Sequence, residues 1–220
     1  MKIGIIGAGY IGRAITDLAI SAGHAVMVSN SRKPDTLASM VAFTGATAGT
    51  ASEAAAFGDI VVLAVPFTAR NSLPADALSG KIVVDANNYY PHRDGHIPEL
   101  VEHQATTSEI IAACLPSSRI VKAFNAILAN DLPRDAKPKG ASGRRALPIA
   151  SDDSDAKEIV AAFQDDLGFD VVDAGRLADS WRFERAKPGY CIALDKAGME
   201  RALVAAERNV EVEDGSWRGK

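Results

Sequence analysis

Cysteine is almost missing from this chain: Cys114 and Cys191 are the only two in 220 residues. They form no C-x-x-C or zinc-ligand spacing and cannot build a disulfide framework, so each is expected as a small buried hydrophobe. Excess positive charge is absent too. The formal balance of −4 gives no support to nucleic acid or an anionic membrane as the main partner. No apolar run approaches the roughly 20 residues of a membrane helix. The opening stretch MKIGIIGAGYIG is cut by glycines and lacks a cleavage pattern, so a soluble, cytoplasmic protein is expected. No Ser-His-Asp or Cys-His arrangement emerges. His92, His96 and His103 lie near one another, but PHRDGHIPE contains Pro and Gly and does not read as a helix that aligns imidazoles, so no metal site is expected. His24, in the turn before the second strand, is read as structural.

What is present is an alternation of short β-rich runs with helical ones. KIGIIG, AVMVS, DIVVLAVP, ALSGKIVVDANN, RIVKAFNAI, ALPIAS and FDVVDAG contain the strands. YIGRAITDLAISAG and DSDAKEIVAAFQDDLG carry helical spacing, and Thr50 with Glu53 and Thr106 with Glu109 mark capping boxes. Repeated units of this kind predict an α/β, Rossmann-type, doubly wound and mostly parallel sheet of about eight strands. Residues 1–175 form the nucleotide-binding domain with its late strands. Residues 176–220 form a small C-terminal helical part, with GYCIALDKAGMERALVAAERN as the last helix. Its apolar residues, Ile192, Leu194, Met199, Leu203 and Val204, are free to pack on their own sheet or on a second subunit. The segment Asp131 to Arg145 reads as an exposed basic loop, either plainly solvated or forming an anion-attracting lip beside the site.

Directly after the first strand, Gly7, Ala8, Gly9, Tyr10, Ile11 and Gly12 match GxGxxG at the start of a helix. Gly7 permits the tight turn, Gly9 the approach of a pyrophosphate, and Gly12 close helix–strand packing. Roughly 20 residues later an acid would hold an NAD ribose. This chain has no Asp or Glu between Asp17 and Asp35 and offers Ser29, Asn30, Ser31, Arg32 and Lys33 there. Arg32 can pair with a 2′-phosphate, and the serines and backbone N–H groups can donate to it. The predicted dinucleotide is NADP(H). Arg32 is its main cation and Lys33 the weaker one.

Ligands of such sheets bind beyond the carboxyl ends of the strands. Those ends hold Ala64, Val65, Pro66 and Phe67, then Ala86, Asn87, Asn88 and Tyr89, then Phe124, Asn125 and Ala126. Ala64, Val65, Pro66, Asn87 and Ala123 are assigned to the cofactor, and Phe67, Asn88 and Asn125 to an acceptor pocket. No catalytic acid or base is nominated. Hydride transfer between two rings asks for positioning and exclusion of water rather than proton machinery.

These residues resemble the coenzyme F420 (deazaflavin)-dependent NADP oxidoreductases. The likeness runs over nearly the whole chain, through GAGYIGRA, NSR, VVLAVPF, IVVDANN, SEIIAACLPSSRIVKAFNAI, ALPIASDDSDAKEIVAAF and DVVDAGRLADSWRFE. NSR and KAFN are also similar to the oxidoreductase domain of the six-transmembrane metalloreductases. The resemblance implies a homodimer in which NADP(H) exchanges hydride with a deazaflavin or flavin in the cleft. It also implies pyrophosphate at Gly7–Gly12 and 2′-phosphate at Ser31 and Arg32, with nicotinamide against Val65, Pro66 and Phe67. Asn125 departs from the pattern, standing where some members have a histidine. Two other readings remain open: an NADPH-dependent reductase of a small imine or carbonyl compound, and a non-catalytic NADP(H) sensor.

Overall fold

The computed structural model describes residues 1–213; residues 214–220 of the expected C-terminal part lie outside the described residues. Six strands form the main sheet: β1 (Lys2–Ile6), β2 (Ala25–Ser29), β3 (Thr47–Ala48), β4 (Ile60–Leu63), β5 (Ile82–Asp85) and β6 (Arg119–Lys122). Their order is β3-β2-β1-β4-β5-β6, with every neighbouring pair parallel. Strand order reverses at β1 and β4, so a crevice opens beyond their C-terminal ends. The short β3 has no apolar run to announce it, and the sequence reading passed over it.

Ten α-helices surround the strands: α1 (Tyr10–Ser21), α2 (Ala38–Thr44), α3 (Ala51–Phe57), α4 (Ala75–Leu78), α5 (Pro91–Asp94), α6 (Pro98–Val101), α7 (Thr107–Cys114), α8 (Asp131–Asp135), α9 (Ser154–Asp166) and α10 (Lys196–Ala205), counted among the described residues. The pleat divides each central strand between two cores. In β4, Ile60 and Val62 pack with Ile15 of α1 and Val160 of α9, while Val61 and Leu63 pack with Ala54 of α3 and Ile111 of α7. Burial on both faces explains why this strand is apolar at every position. Both predicted capping boxes close, Thr50 with Glu53 and Thr106 with Glu109. Among the described residues no helix is long and apolar enough to cross a membrane.

Three expectations need correction. The late strands do not extend the main sheet. Strands β7 (Ala146–Ile149) and β8 (Asp170–Asp173) form a separate parallel pair, tied to β6 through one antiparallel bridge, Lys122 with Ala150. The N–H of Ala146 donates to Leu194 and that of Ala150 to Lys122. Pro148 between them has no N–H, so β7 cannot run a continuous ladder on that side. The last helix begins at Lys196 rather than near Gly189, because Cys191 takes φ +57 and its N–H goes to the Ala126 carbonyl. Asp195 then caps α10 by accepting from Gly198. Helix α10 packs Met199 and Leu203 against Val172 of this chain's own second sheet, while Val204 points to solvent. Finally, the segment after Asp131 begins as α8 and ends in two buried arginines, described below.

Asp153, at the N-cap of α9, accepts from Ala156 N–H and is held by Arg119. The Arg119 hydrogen bond, helped by that N–H, brings its carboxyl down to about 2 from 3.8. Its contribution is therefore present above the unfolded value and fades as pH falls towards 2. In Asp153→Asn the cap remains but the charge is lost. The Tm gap between wild type and variant should be largest above about pH 5, worth under about 1 kcal/mol at this half-exposed, solvent-screened site. It should close near pH 2; a gap independent of pH would show that the charge contributes nothing.

Candidate dinucleotide cleft

The glycine loop separates into two structural positions and one open one. Gly7 has φ +114, and a Cβ there would lie 2.2 Å from the Ala64 carbonyl oxygen. A Cβ on Gly12 would lie 1.8 Å from the Gly7 carbonyl oxygen, so this glycine sets how closely α1 approaches β1. At Gly9 an added Cβ meets nothing within 4 Å. Gly9 is also the N-cap of α1 and supplies no side-chain cap. The first-turn N–H groups thus end at open space carrying the positive end of the helix dipole, the arrangement that holds a pyrophosphate. Arg13 braces the loop through Ala8 O at 2.9 Å. Ala8 and Ile11 rest partly on the core, and Tyr10 is exposed.

At the end of β2 the polar residues play different parts. Asn30 builds the turn: its Oδ1 accepts from Arg32 N–H at 2.8 Å, and its Nδ2 donates to Thr36 Oγ1 at 2.9 Å. Ser31, Arg32 and Lys33 are exposed on that turn. Ser29 is a correction. It is fully buried, and its hydroxyl donates to the Ile5 carbonyl at 3.2 Å, so it is not a phosphate donor. Position 29 is the last residue of β2, and the pleat turns its side chain inward.

Beyond β4, Ala64 and Val65 are half-exposed and Pro66 is exposed. Phe67 is completely buried, with its ring edge-on to Tyr89 and Arg70 stacked over it. It therefore belongs to the core and lines no acceptor pocket. Ala123 is likewise buried within the main core. Asn88 and Asn125 bond each other, Asn88 Nδ2 to Asn125 O at 2.9 Å and Asn125 Nδ2 to Asn88 Oδ1 at 3.2 Å. Asn125 also donates to Phe183 O at 3.0 Å and is buried. This pair ties the chain after β6 to the 3-10 helix Leu177–Phe183 and leaves the buried Asn125 Oδ1 without a partner.

Beneath these ends lies a polar network that the sequence reading missed. Lys122 and Asp85, both fully buried, pair at 3.2 Å at the ends of β6 and β5. Lys122 Nζ also donates to Asn87 O and Thr107 Oγ1, and Asp85 accepts from Ser108 Oγ. Thr107 in turn donates its hydroxyl to Glu184 at 2.6 Å. The only local signal was an acid closing IVVD and a lysine closing RIVK. Removing one member of such a pair strands a buried charge, at a cost of about 3–5 kcal/mol.

A cavity of about 210 Å³ adjoins this network, walled by Tyr89, Thr107, Trp181, Glu184, Lys187 and Arg208 among others. None of Phe67, Asn88 and Asn125 lines it. Lys187 is buried and donates to the carbonyls of Glu207, Arg208 and Val210, which holds the chain after α10 in place. Burial lowers its pKa. Burial also pushes the Cys191 thiol up to about 12, which rules it out as a thiolate at neutral pH. Cys114 is partly exposed rather than buried.

The basic segment is no anion lip. Arg144 and Arg145 are buried; Arg144 pairs with Asp165 and Asp170, and Arg145 with Asp131 and Asp135. Lys139 reaches Asp165 and Arg134 reaches Asp131 and Asp135, while Lys137 donates to the carbonyls of Ser142 and Gly143. Its charge is consumed within the fold. His92 lies in α5 and His96 beyond its end, and among the described residues no group of His, Cys, Asp and Glu is placed to hold a metal. His24 is buried edge-on to Phe163, in its predicted structural role.

A parallel sheet reversing at β1 and β4, with an open glycine loop at the crevice, defines a Rossmann-type dinucleotide-binding domain. The comparisons narrow this. Residues 2–89 match the family described as NADP oxidoreductase, coenzyme F420-dependent. A hypothetical protein (SMa0349) from Sinorhizobium meliloti is 33% identical, with TM-score 0.69 over 82% of this chain and 87% of that one. A candidate F420-dependent NADP reductase from Arthrobacter sp. FB24 is 26% identical, with TM-score 0.70 and the same coverage, 82% and 87%. Metalloreductase STEAP3 of Rattus norvegicus is 32% identical over 189 residues, 83% of this chain but 36% of its own length. Over residues 2–89, well short of half the chain, this protein is similar to the coenzyme F420-dependent NADP oxidoreductases.

Proposed function

We propose that this chain binds NADP(H) in preference to NAD(H) and passes hydride between it and a deazaflavin- or flavin-like ring. One observation carries the cofactor half: the turn after β2 has no carboxylate and exposes Ser31 and Arg32 on a loop tied by Asn30. An acid there would repel a 2′-phosphate, whereas a guanidinium pairs with it. Bound NADPH supplies the hydride. The protein's part is to hold the pyrophosphate on the first turn of α1, to set Val65 and Pro66 against the nicotinamide, and to exclude water. The acceptor half rests on the family description and on the name of the Arthrobacter relative.

Stopped-flow oxidation of NADPH against deazaflavin, FMN, FAD, a quinone, a ferric chelate and a cyclic imine tests both halves. Oxidation should be fastest with the deazaflavin or a flavin, and NADH should be a poor donor. Turnover with the imine alone would overturn the acceptor, and tight NADPH binding without any turnover would overturn the enzyme.

A further inference from the structure

The ammonium of Lys122 has three protons and three acceptors: Asp85 Oδ2 at 3.2 Å, the Asn87 carbonyl at 2.5 Å and Thr107 Oγ1 at 2.9 Å. Asp85 is equally occupied. Its Oδ2 also accepts from Ser108 Oγ at 2.5 Å, and its Oδ1 accepts from Asn87 N–H at 3.0 Å. One buried ion pair therefore holds both backbone polar groups of Asn87.

The Asn87 side chain reaches the neighbouring strand end, where its Oδ1 accepts from Val65 N–H at 2.9 Å. This bond fixes the amide orientation, because a flipped amide would set NH2 against an N–H donor. Its Nδ2 then has no partner, although it is shut off from solvent. Asn87 lies between Val65 and Asn88, both half-exposed. A buried charge pair holds fold stability no better than apolar packing does. Its convergence on one residue at the crevice, with a spare donor, suggests a task beyond stability.

We propose that Lys122 and Asp85 are positioning residues of the dinucleotide site. They hold Asn87 so that its spare amide N–H meets an oxygen acceptor on the nicotinamide-riboside half of the ligand. The inference rests on the dinucleotide reading above.

Three ligands of increasing length test it by calorimetry: 2′,5′-ADP, 2′-phospho-ADP-ribose and NADP⁺. Lys122→Met alone strands a buried carboxylate, so the working variant is the charge-free Asp85→Asn/Lys122→Met double, whose shape and neutrality favour folding. Asn87→Asp is the companion, keeping the acceptor for Val65 N–H but losing the donor. In both, 2′,5′-ADP should bind within about twofold of wild type, while NADP⁺ weakens about tenfold, the value of one hydrogen bond. Loss already seen with 2′-phospho-ADP-ribose assigns the acceptor to the ribose, and loss seen only with NADP⁺ assigns it to the carboxamide. Unchanged NADP⁺ affinity in Asn87→Asp, or equal weakening of all three ligands, overturns the positioning role while leaving the dinucleotide reading intact. Wild-type protein that binds none of the three sinks both together.

Discussion

Arg32→Ala is expected to weaken NADPH binding by about 10- to 100-fold and to leave NADH nearly unchanged. A hydrogen bond to a charged partner contributes about 1.5–3 kcal/mol, and each 1.4 kcal/mol is a factor of ten. The variant removes the guanidinium but not the turn, because Asn30 grips the backbone N–H of residue 32 and not its side chain. Arg32 is exposed, so salt screens its attraction, and the gap between wild type and variant should narrow as ionic strength rises. Arg32→Asp should go further and favour NADH, since it restores a ribose-binding acid and repels the phosphate. Titration of both dinucleotides by fluorescence at two salt concentrations decides the matter. Equal wild-type affinity for NADH and NADPH would end the NADP assignment.

Gly12→Ala and Gly9→Ala should fail in opposite ways. At Gly12 the new methyl would stand 1.8 Å from the Gly7 carbonyl oxygen, an overlap relieved only by moving α1 off β1. Overpacking against backbone costs about 1–3 kcal/mol or more, which lowers Tm by several degrees in a chain of this size. At Gly9 the methyl meets no protein atom, and φ is −74, so the fold accepts it with little change in Tm. The methyl would instead enter the open space over the N-terminus of α1, and dinucleotide affinity should fall at least tenfold. Thermal melts with and without ligand separate the two. A Gly9→Ala protein that still gains full thermal protection from NADPH would move the pyrophosphate elsewhere.

The parts of this protein legible in its sequence are those decided within a short span. GxGxxG fits its turn because strand, loop and helix are contiguous. The missing acid after β2 could be read because its distance from the glycines is set by one helix and one strand. The unbroken apolar run of β4 announced burial on both faces, and the capping boxes closed because each spans four residues.

What failed was decided between distant segments. Ser29 looked like a donor to a ligand until the pleat turned it toward Ile5. Phe67 and Asn125 sit at strand ends, as predicted, yet the packing of Tyr89 and Phe183 over them closes the pocket they were meant to line. Arg144 and Arg145 read as a loop's surface charge, and only the arrival of Asp165, Asp170, Asp131 and Asp135 shows them to be internal. Asp85 and Lys122 stand 37 positions apart, and nothing local marks either as one half of a pair. Strand register brings them face to face, Asp85 opposite Lys122. By itself the sequence determined the class of fold and the dinucleotide to expect. Tertiary structure decided which polar groups remain free for a ligand, because a side chain's last partner is chosen by whatever segment packs over it.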